Sequence, residues 1–114
     1  MKVCVIGLGY IGLPTSLLIA SKGINVFGVD KNKKVIDSLQ QEKTHINEAK
    51  VQEMLTSAYR KKTLSVDLVL SEADVFIITV PTPFKSGFEP DLSMVMEAAE
   101  NISKKLKKGD LILI

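Results

Sequence analysis

The sequence has little of what marks secreted, metal-binding or membrane-spanning proteins. Its 114 residues include one cysteine, one histidine and no tryptophan. The single thiol, Cys4, has no partner within the chain for a disulfide, which favours a reducing, cytoplasmic location. The apolar run at residues 3–6 is too short for the core of a signal peptide, and no other run is long enough to span a bilayer.

The charges also argue against some partners. The net charge at pH 7 is only +2, so neither a nucleic acid nor an anionic membrane is an expected partner. The lysines fall in small groups near residues 31–34 and 104–108, and groups of this kind usually form solvated helix faces. The histidine, His45, has no companions that would complete a triad or a ligand set, so we predict no metal site.

Short apolar runs alternate with longer segments of helical period. The runs that resemble strands are residues 3–6, 24–29, 75–80 and 111–114, with a weaker one at 63–66. Helical spacing predicts helices at 10–22, 33–40, 48–60 and 92–106, and a short helical piece after residue 66. The strands lack strict polar alternation, which is typical of a parallel sheet covered on both faces. We therefore predict a three-layer, doubly wound α/β domain of the Rossmann type, with strand order 3-2-1-4-5.

The last predicted strand, residues 111–114, is apolar at every position. Such a strand needs a neighbour on each side, because an open apolar edge pairs with other chains. We therefore expect residues 1–114 to form one incomplete domain, a fragment of a longer protein that is truncated after its fifth strand.

The most specific motif is a glycine-rich turn, Gly7-Leu8-Gly9-Tyr10-Ile11-Gly12. It follows an apolar strand and opens a helix, and this context makes the pattern typical of dinucleotide binding. Gly7 would permit the tight turn, Gly9 the approach of a pyrophosphate, and Gly12 the close packing of helix on strand. Free amides near Tyr10 and Ile11 would then face the phosphates. The alternative is a glycine turn that serves packing alone.

An acidic residue follows the second predicted strand. Asp30 lies where such folds place the carboxylate that accepts hydrogen bonds from the adenosine ribose. A carboxylate there repels a 2′-phosphate, so the predicted cofactor is NAD rather than NADP. Lys31, Lys33 and Lys34 count against this choice, because nearby cations tolerate a phosphate. The alternative role of Asp30 is that of a plain helix cap.

The fourth predicted strand runs into Val80-Pro81-Thr82-Pro83. Loops at the carboxyl ends of the central strands border the ligand crevice of a doubly wound sheet. The prolines would fix the backbone, and the Thr82 hydroxyl would face a ribose or a nicotinamide. From the residues alone, a stiff turn that ends the strand explains the loop equally well.

In their order along the chain these motifs resemble the nucleotide-sugar 6-dehydrogenase family, which oxidises UDP-glucose, GDP-mannose and UDP-N-acetylhexosamines. The resemblance covers essentially the whole chain, through residues 5–14, 28–30, 45–48, 80–83 and 90–93. Residues 80–91 are most similar to the branch that oxidises UDP-N-acetyl-D-mannosamine. The motifs and the resemblance together give these predicted cofactor-binding residues: Gly7, Gly9, Tyr10, Ile11, Gly12, Asp30, Lys31, Val80, Pro81 and Thr82.

The resemblance also implies what the chain would lack. In the family a sugar C6 alcohol is oxidised to a carboxylate with two NAD, through a thioester on a cysteine. That cysteine is expected beyond residue 114, so no catalytic residue is predicted here and the chain alone is expected to be inactive. Cys4 sits in the first strand and is expected to behave as a small apolar residue. The full-length protein is expected to bind a UDP-sugar and to be a homo-oligomer.

Two other functions share this cofactor fold. One is the cofactor domain of a β-hydroxyacid dehydrogenase, a class that lacks the Pro81-Thr82-Pro83 loop. The other is a free-standing NAD-sensing module, like the regulatory domains of potassium channels. Such modules usually carry Gly-Asp-Ala after the third strand, where this chain has Val66-Asp67-Leu68. Fold analogy alone does not separate these functions.

Overall fold

A computed structural model of the chain describes residues 1–83 and 90–114. Its strands are β1 (Lys2–Ile6), β2 (Asn25–Val29), β3 (Leu64–Asp67), β4 (Val75–Ile78) and β5 (Leu111–Leu113). Its helices are α1 (Gly12–Ser21), α2 (Lys33–Gln40), α3 (Ala49–Arg60) and α4 (Ser93–Ser103). The strands are all parallel and lie in the order β3-β2-β1-β4-β5, which confirms the predicted fold and strand order.

Helices cover the two faces of the sheet. On one face, Val5 of β1 packs with Leu17 of α1 in a core that α2 and α3 extend. On the other face, Cys4 and Phe76 pack with Ile102 of α4. Neighbouring residues of β1 therefore belong to different cores, as the two-residue period of a strand requires. None of the helices in the described chain has the length and hydropathy needed to cross a bilayer.

The predicted elements are right in kind and differ at their ends. Helix α1 begins at Gly12 and not at residue 10, because residues 7–11 are used by the turn that leaves β1. Strand β4 ends at Ile78 and not at residue 80, because Thr79 turns towards β1, with its Oγ1 2.8 Å from the carbonyl oxygen of Gly7.

The short helical piece expected after β3 is wrong. Residues 68–74 contain no helix, and the Leu68 amide instead donates to the Asp67 carboxylate at 2.6 Å. Leu70 and Ala73 from this segment pack into the core beneath α4. A crossover with its own helix needs roughly 10 residues or more, and the link between β3 and β4 is shorter than that.

Two glycines hold the turn between β1 and α1. Gly7 has a φ of +94°, a conformation that side chains disfavour. A Cβ atom on Gly12 would collide with the carbonyl oxygen of Gly7, so the start of α1 lies directly against the end of β1. The third glycine differs, because a Cβ on Gly9 would meet nothing within 4 Å. The turn is therefore tightly packed beneath and open above Gly9.

The substitution Gly12→Ala is expected to lower the free energy of unfolding by on the order of 3 kcal/mol, because the new methyl group overpacks the turn. Urea denaturation followed by circular dichroism measures this change. The matched control is Gly9→Ala, which adds the same methyl group in open space and should change stability by about 0.5 kcal/mol or less. Equal stability of the two variants would contradict the packing described here.

Strand β5 forms an apolar edge of the sheet. It pairs with β4, and Leu111 and Leu113 are 52% and 47% exposed. Exposed apolar edge strands favour association between chains. Leu113→Lys is therefore expected to raise the solubility of the 114-residue chain, measured as the protein left in solution after concentration. Ser65→Lys adds the same charge on the opposite edge strand, β3, and an equal gain there would show that charge alone is responsible.

Candidate functional site

The carboxyl ends of β1, β2 and β4 open into a crevice of about 870 Å³. In a doubly wound sheet this is the place where the strand order reverses and ligands bind. Nine of the ten predicted cofactor-binding residues line the crevice, namely Gly7, Gly9, Tyr10, Ile11, Asp30, Lys31, Val80, Pro81 and Thr82. Gly12 does not line it, since that residue is buried under the turn.

Backbone amides at the start of α1 are unpaired. The amides of Gly9, Tyr10 and Ile11 donate to no acceptor in the described chain, and all three residues are exposed. The first helical bond runs from the Leu13 amide to the carbonyl oxygen of Gly9 at 3.1 Å. Donors at a helix start, together with the positive end of the helix dipole, form a site for an anion such as a phosphate.

The carboxylate of Asp30 is fixed beside these amides. Its Oδ2 accepts from the amide of Leu8 at 2.9 Å, and its Oδ1 accepts from the amide of Asn32 at 2.9 Å. A carboxylate oxygen has a second lone pair, so both oxygens can still accept from a ribose hydroxyl. Asp30 therefore joins the glycine-rich turn to the loop after β2, and its oxygens can still accept hydrogen bonds from a ligand.

Asp30 is not the N-cap of α2. That position belongs to Asn32, whose side-chain oxygen accepts from the amide of Lys34 at 3.0 Å. Because Asn32 satisfies the helix start, capping does not account for Asp30.

The residue inside the glycine motif has a role that the sequence reasoning missed. The side chain of Leu8 is fully buried, and a Cβ on Gly28 would lie 3.0 Å from both of its δ-carbons. The absence of a side chain at Gly28 thus makes room for Leu8 beneath the turn. The available signal was a glycine inside an apolar strand, a position that often marks a close approach.

Thr79 was missed as well. Its hydroxyl oxygen lies 2.8 Å from the carbonyl oxygen of Gly7 and 3.1 Å from that of Ile6, and its proton is shared between these acceptors. This contact ties the end of β4 to the glycine-rich turn at the floor of the crevice. The signal in the sequence was one polar residue at the end of an apolar run.

Two of the three lysines after Asp30 are paired with carboxylates. Lys31 Nζ lies 3.7 Å from Oε2 of Glu97 on α4, and Lys33 Nζ lies 2.9 Å from Oδ2 of Asp37 on α2. Both Lys31 and Glu97 line the crevice, so this ion pair connects its two walls.

The proline-threonine loop reaches the crevice at its first residues. Val80, Pro81 and Thr82 line it, and the backbone closes where the Asp91 amide donates to the carbonyl oxygen of Pro83 at 2.6 Å. Residues 84–89, which belong to the segment 80–91 that carries the resemblance, lie outside the described residues. The side chain of Asp91 accepts from the Ser93 amide at 2.9 Å just before α4, although Leu92 occupies the N-cap position.

The cysteine and the histidine lie away from the crevice. Cys4 is completely buried, and burial raises the pKa of its thiol to about 12, against a smaller lowering by the Lys2 ammonium. A thiol in that state is a poor nucleophile at neutral pH. His45 is exposed in the loop between α2 and α3. Across residues 1–83 and 90–114, no cluster of three or more histidine, cysteine or acidic side chains is placed to bind a metal ion.

These features fit a bound dinucleotide. The crevice offers unpaired amides for a diphosphate, and the open space above Gly9 is where a side chain would obstruct it. The fixed carboxylate of Asp30 supplies acceptors for ribose hydroxyls next to those amides.

Comparison with known proteins identifies the family. The profile of the UDP-glucose/GDP-mannose dehydrogenase family, NAD binding domain, matches residues 1–114. The UDP-N-acetyl-D-mannosamine dehydrogenase of Campylobacter jejuni is 45% identical over 114 residues, which are 99% of this chain and 28% of that protein. The NDP-N-acetyl-D-galactosaminuronic acid dehydrogenase of Ralstonia nicotianae is 40% identical over 112 residues, 98% of this chain and 26% of that protein.

A solved structure gives the same result. The UDP-N-acetyl-mannosamine dehydrogenase of Staphylococcus aureus superposes with a TM-score of 0.96 at 43% identity, over 98% of this chain and 28% of that one. The chain thus spans between a quarter and a third of the length of these relatives. With sequence, fold and crevice in agreement, the chain belongs to the UDP-glucose/GDP-mannose dehydrogenase family as an NAD-binding domain, and NAD is its cofactor.

Proposed function

We propose that this chain is the cofactor-binding part of an enzyme that oxidises the C6 alcohol of a UDP-N-acetylhexosamine, namely UDP-N-acetyl-D-mannosamine. The observation that carries the proposal is the row of unpaired amides at the start of α1 next to the fixed carboxylate of Asp30. The choice of sugar rests on relatives of 45% and 43% identity that are named for UDP-N-acetylmannosamine.

Each part of the crevice has a separate task in holding the cofactor. The amides of Tyr10 and Ile11 donate to the pyrophosphate, and the dipole of α1 adds to the attraction. The carboxylate of Asp30 accepts from the adenosine ribose. Val80, Pro81 and Thr82 line the same crevice, where the Thr82 hydroxyl would face a ribose or the nicotinamide. When bound, NAD supplies the acceptor for the hydride that leaves the sugar, while this chain binds and orients the cofactor.

The rest of the reaction belongs to the full-length enzyme. We propose that it oxidises the C6 alcohol to a carboxylate with two NAD, and that its catalytic cysteine lies outside residues 1–114. The buried Cys4 thiol is unsuited to that role. A cytoplasmic homo-oligomer is part of the same proposal.

The two other functions that share this fold find less support. A free-standing NAD-sensing module would carry Gly-Asp-Ala after its third strand, whereas here Val66 and Asp67 are part of β3 and Leu68 follows. A β-hydroxyacid dehydrogenase would lack the Pro81-Thr82-Pro83 loop, which this chain has.

Asp30→Ala is expected to weaken NAD binding by about tenfold or more, because hydrogen bonds to a charged acceptor are lost. NADP binding should fall less, since repulsion of the 2′-phosphate is lost as well. Isothermal titration of both nucleotides measures the two affinities. Asp37→Ala is the matched control, because that carboxylate lies on α2 and does not line the crevice.

Loss of the Asp30 carboxylate also leaves the amides of Leu8 and Asn32 without an acceptor. Asp30→Asn removes the charge but keeps one acceptor oxygen, for the amide of either Leu8 or Asn32, and is the milder variant if the alanine variant folds poorly. An equal loss of NAD and NADP affinity in both variants would count against the ribose role.

The pure 114-residue chain is expected to bind NAD but to form no NADH from UDP-N-acetyl-D-mannosamine. The reason is that no catalytic residue is expected within residues 1–114. The second oxidation also requires a nucleophilic thiolate, and the one thiol of the chain is buried. NADH absorbance reports turnover, and a full-length enzyme of the family serves as the positive control. Measurable turnover by the chain alone would contradict the proposal that the catalytic residues lie outside residues 1–114.

A further inference from the structure

The ion pair between Lys31 and Glu97 joins two elements that are distant in sequence. Lys31 follows Asp30 directly and lies in the loop after β2, whereas Glu97 projects from α4. Their charged atoms are 3.7 Å apart, and both side chains line the crevice. The pair therefore sets where the Lys31 ammonium lies at the edge of the site that holds Asp30.

The other cations of the loop after β2 are not available to a ligand in the crevice. Lys33 is paired with Asp37 at 2.9 Å along α2. Lys34 does not line the crevice. Lys31 is thus the cation of this loop that a group near the Asp30 carboxylate would meet first.

A 2′-phosphate would bring close to two negative charges to the ribose beside Asp30. Lys31 would be the natural partner for that phosphate. Glu97 opposes this because its carboxylate holds the Lys31 ammonium. Lys104 and Lys105 also line the crevice, but they follow α4. Their attraction for a 2′-phosphate would be the same whether or not the Glu97 carboxylate is present.

We infer that Glu97 is a specificity residue that favours NAD over NADP by holding Lys31 away from the position of a 2′-phosphate. The inference rests on the proposed role of this crevice in binding NAD. Asp30 repels the phosphate directly, and Glu97 withholds the cation that would offset the repulsion. The preference for NAD is therefore divided between Asp30, which follows β2, and Glu97 of α4.

The size of the effect follows from the exposure of the pair. The two side chains are 66% and 59% exposed, so water and salt screen their attraction. Neutralising Glu97 should accordingly raise the ratio of NADP to NAD affinity by about two- to fivefold, and the gain should shrink as salt is added.

The experiment compares NAD and NADP affinities of the 114-residue chain and four variants by isothermal titration. Glu97→Gln is expected to raise the NADP/NAD ratio. Glu100→Gln makes the same charge change on the same helix outside the crevice and should leave the ratio unchanged. Lys31→Gln should lower the NADP/NAD ratio. When it is combined with Lys31→Gln, Glu97→Gln should no longer raise that ratio. Thermal unfolding of each variant confirms that it is folded.

The outcomes separate this inference from the proposed function. If the unmodified chain binds NAD but Glu97→Gln and Glu100→Gln give the same ratio, Glu97 has no such role and the proposed function stands. If the gain of Glu97→Gln persists without Lys31, Glu97 acts through net charge and the inference is wrong. If the unmodified chain binds neither nucleotide, both are overturned.

Discussion

The site depends on one hydrogen bond, from the backbone amide of Leu8 to the carboxylate of Asp30, at 2.9 Å. It holds the glycine-rich turn against the end of β2, while the buried Leu8 side chain fills the space left by Gly28 below. Leu8 is therefore held from both sides, and the amides of the next three residues donate to no acceptor in the described chain. These three residues line the crevice and are exposed, so water or a bound ligand satisfies their amides.

Much of this could be read from the sequence, because it rests on local patterns. Strand order, the parallel sheet and the crevice follow from apolar runs alternating with helical periods and from the context of Gly7. The ends of elements could not be read so well, since β4 stops where Thr79 reaches Gly7 in another strand. The link after β3 holds no helix, because it is too short for a crossover with a helix of its own.

The contacts that escaped prediction all join residues far apart in the chain. Leu8 meets Gly28, Thr79 meets Gly7, and Lys31 meets Glu97. No spacing rule reports such pairs, because they exist only once the sheet brings its strands together. The sugar is a different matter. The crevice carries features that suit NAD, so the proposed choice among UDP-sugars rests on the relatives rather than on geometry.

The position of Cys4 has a practical consequence. It lies in the central strand of the sheet, is completely buried, and is the one thiol in the chain. A thiol reagent can reach it only when helix α4 lifts from the sheet or the sheet itself opens. The rate at which this native residue is labelled therefore reports how often the middle of the domain opens, with no engineered probe.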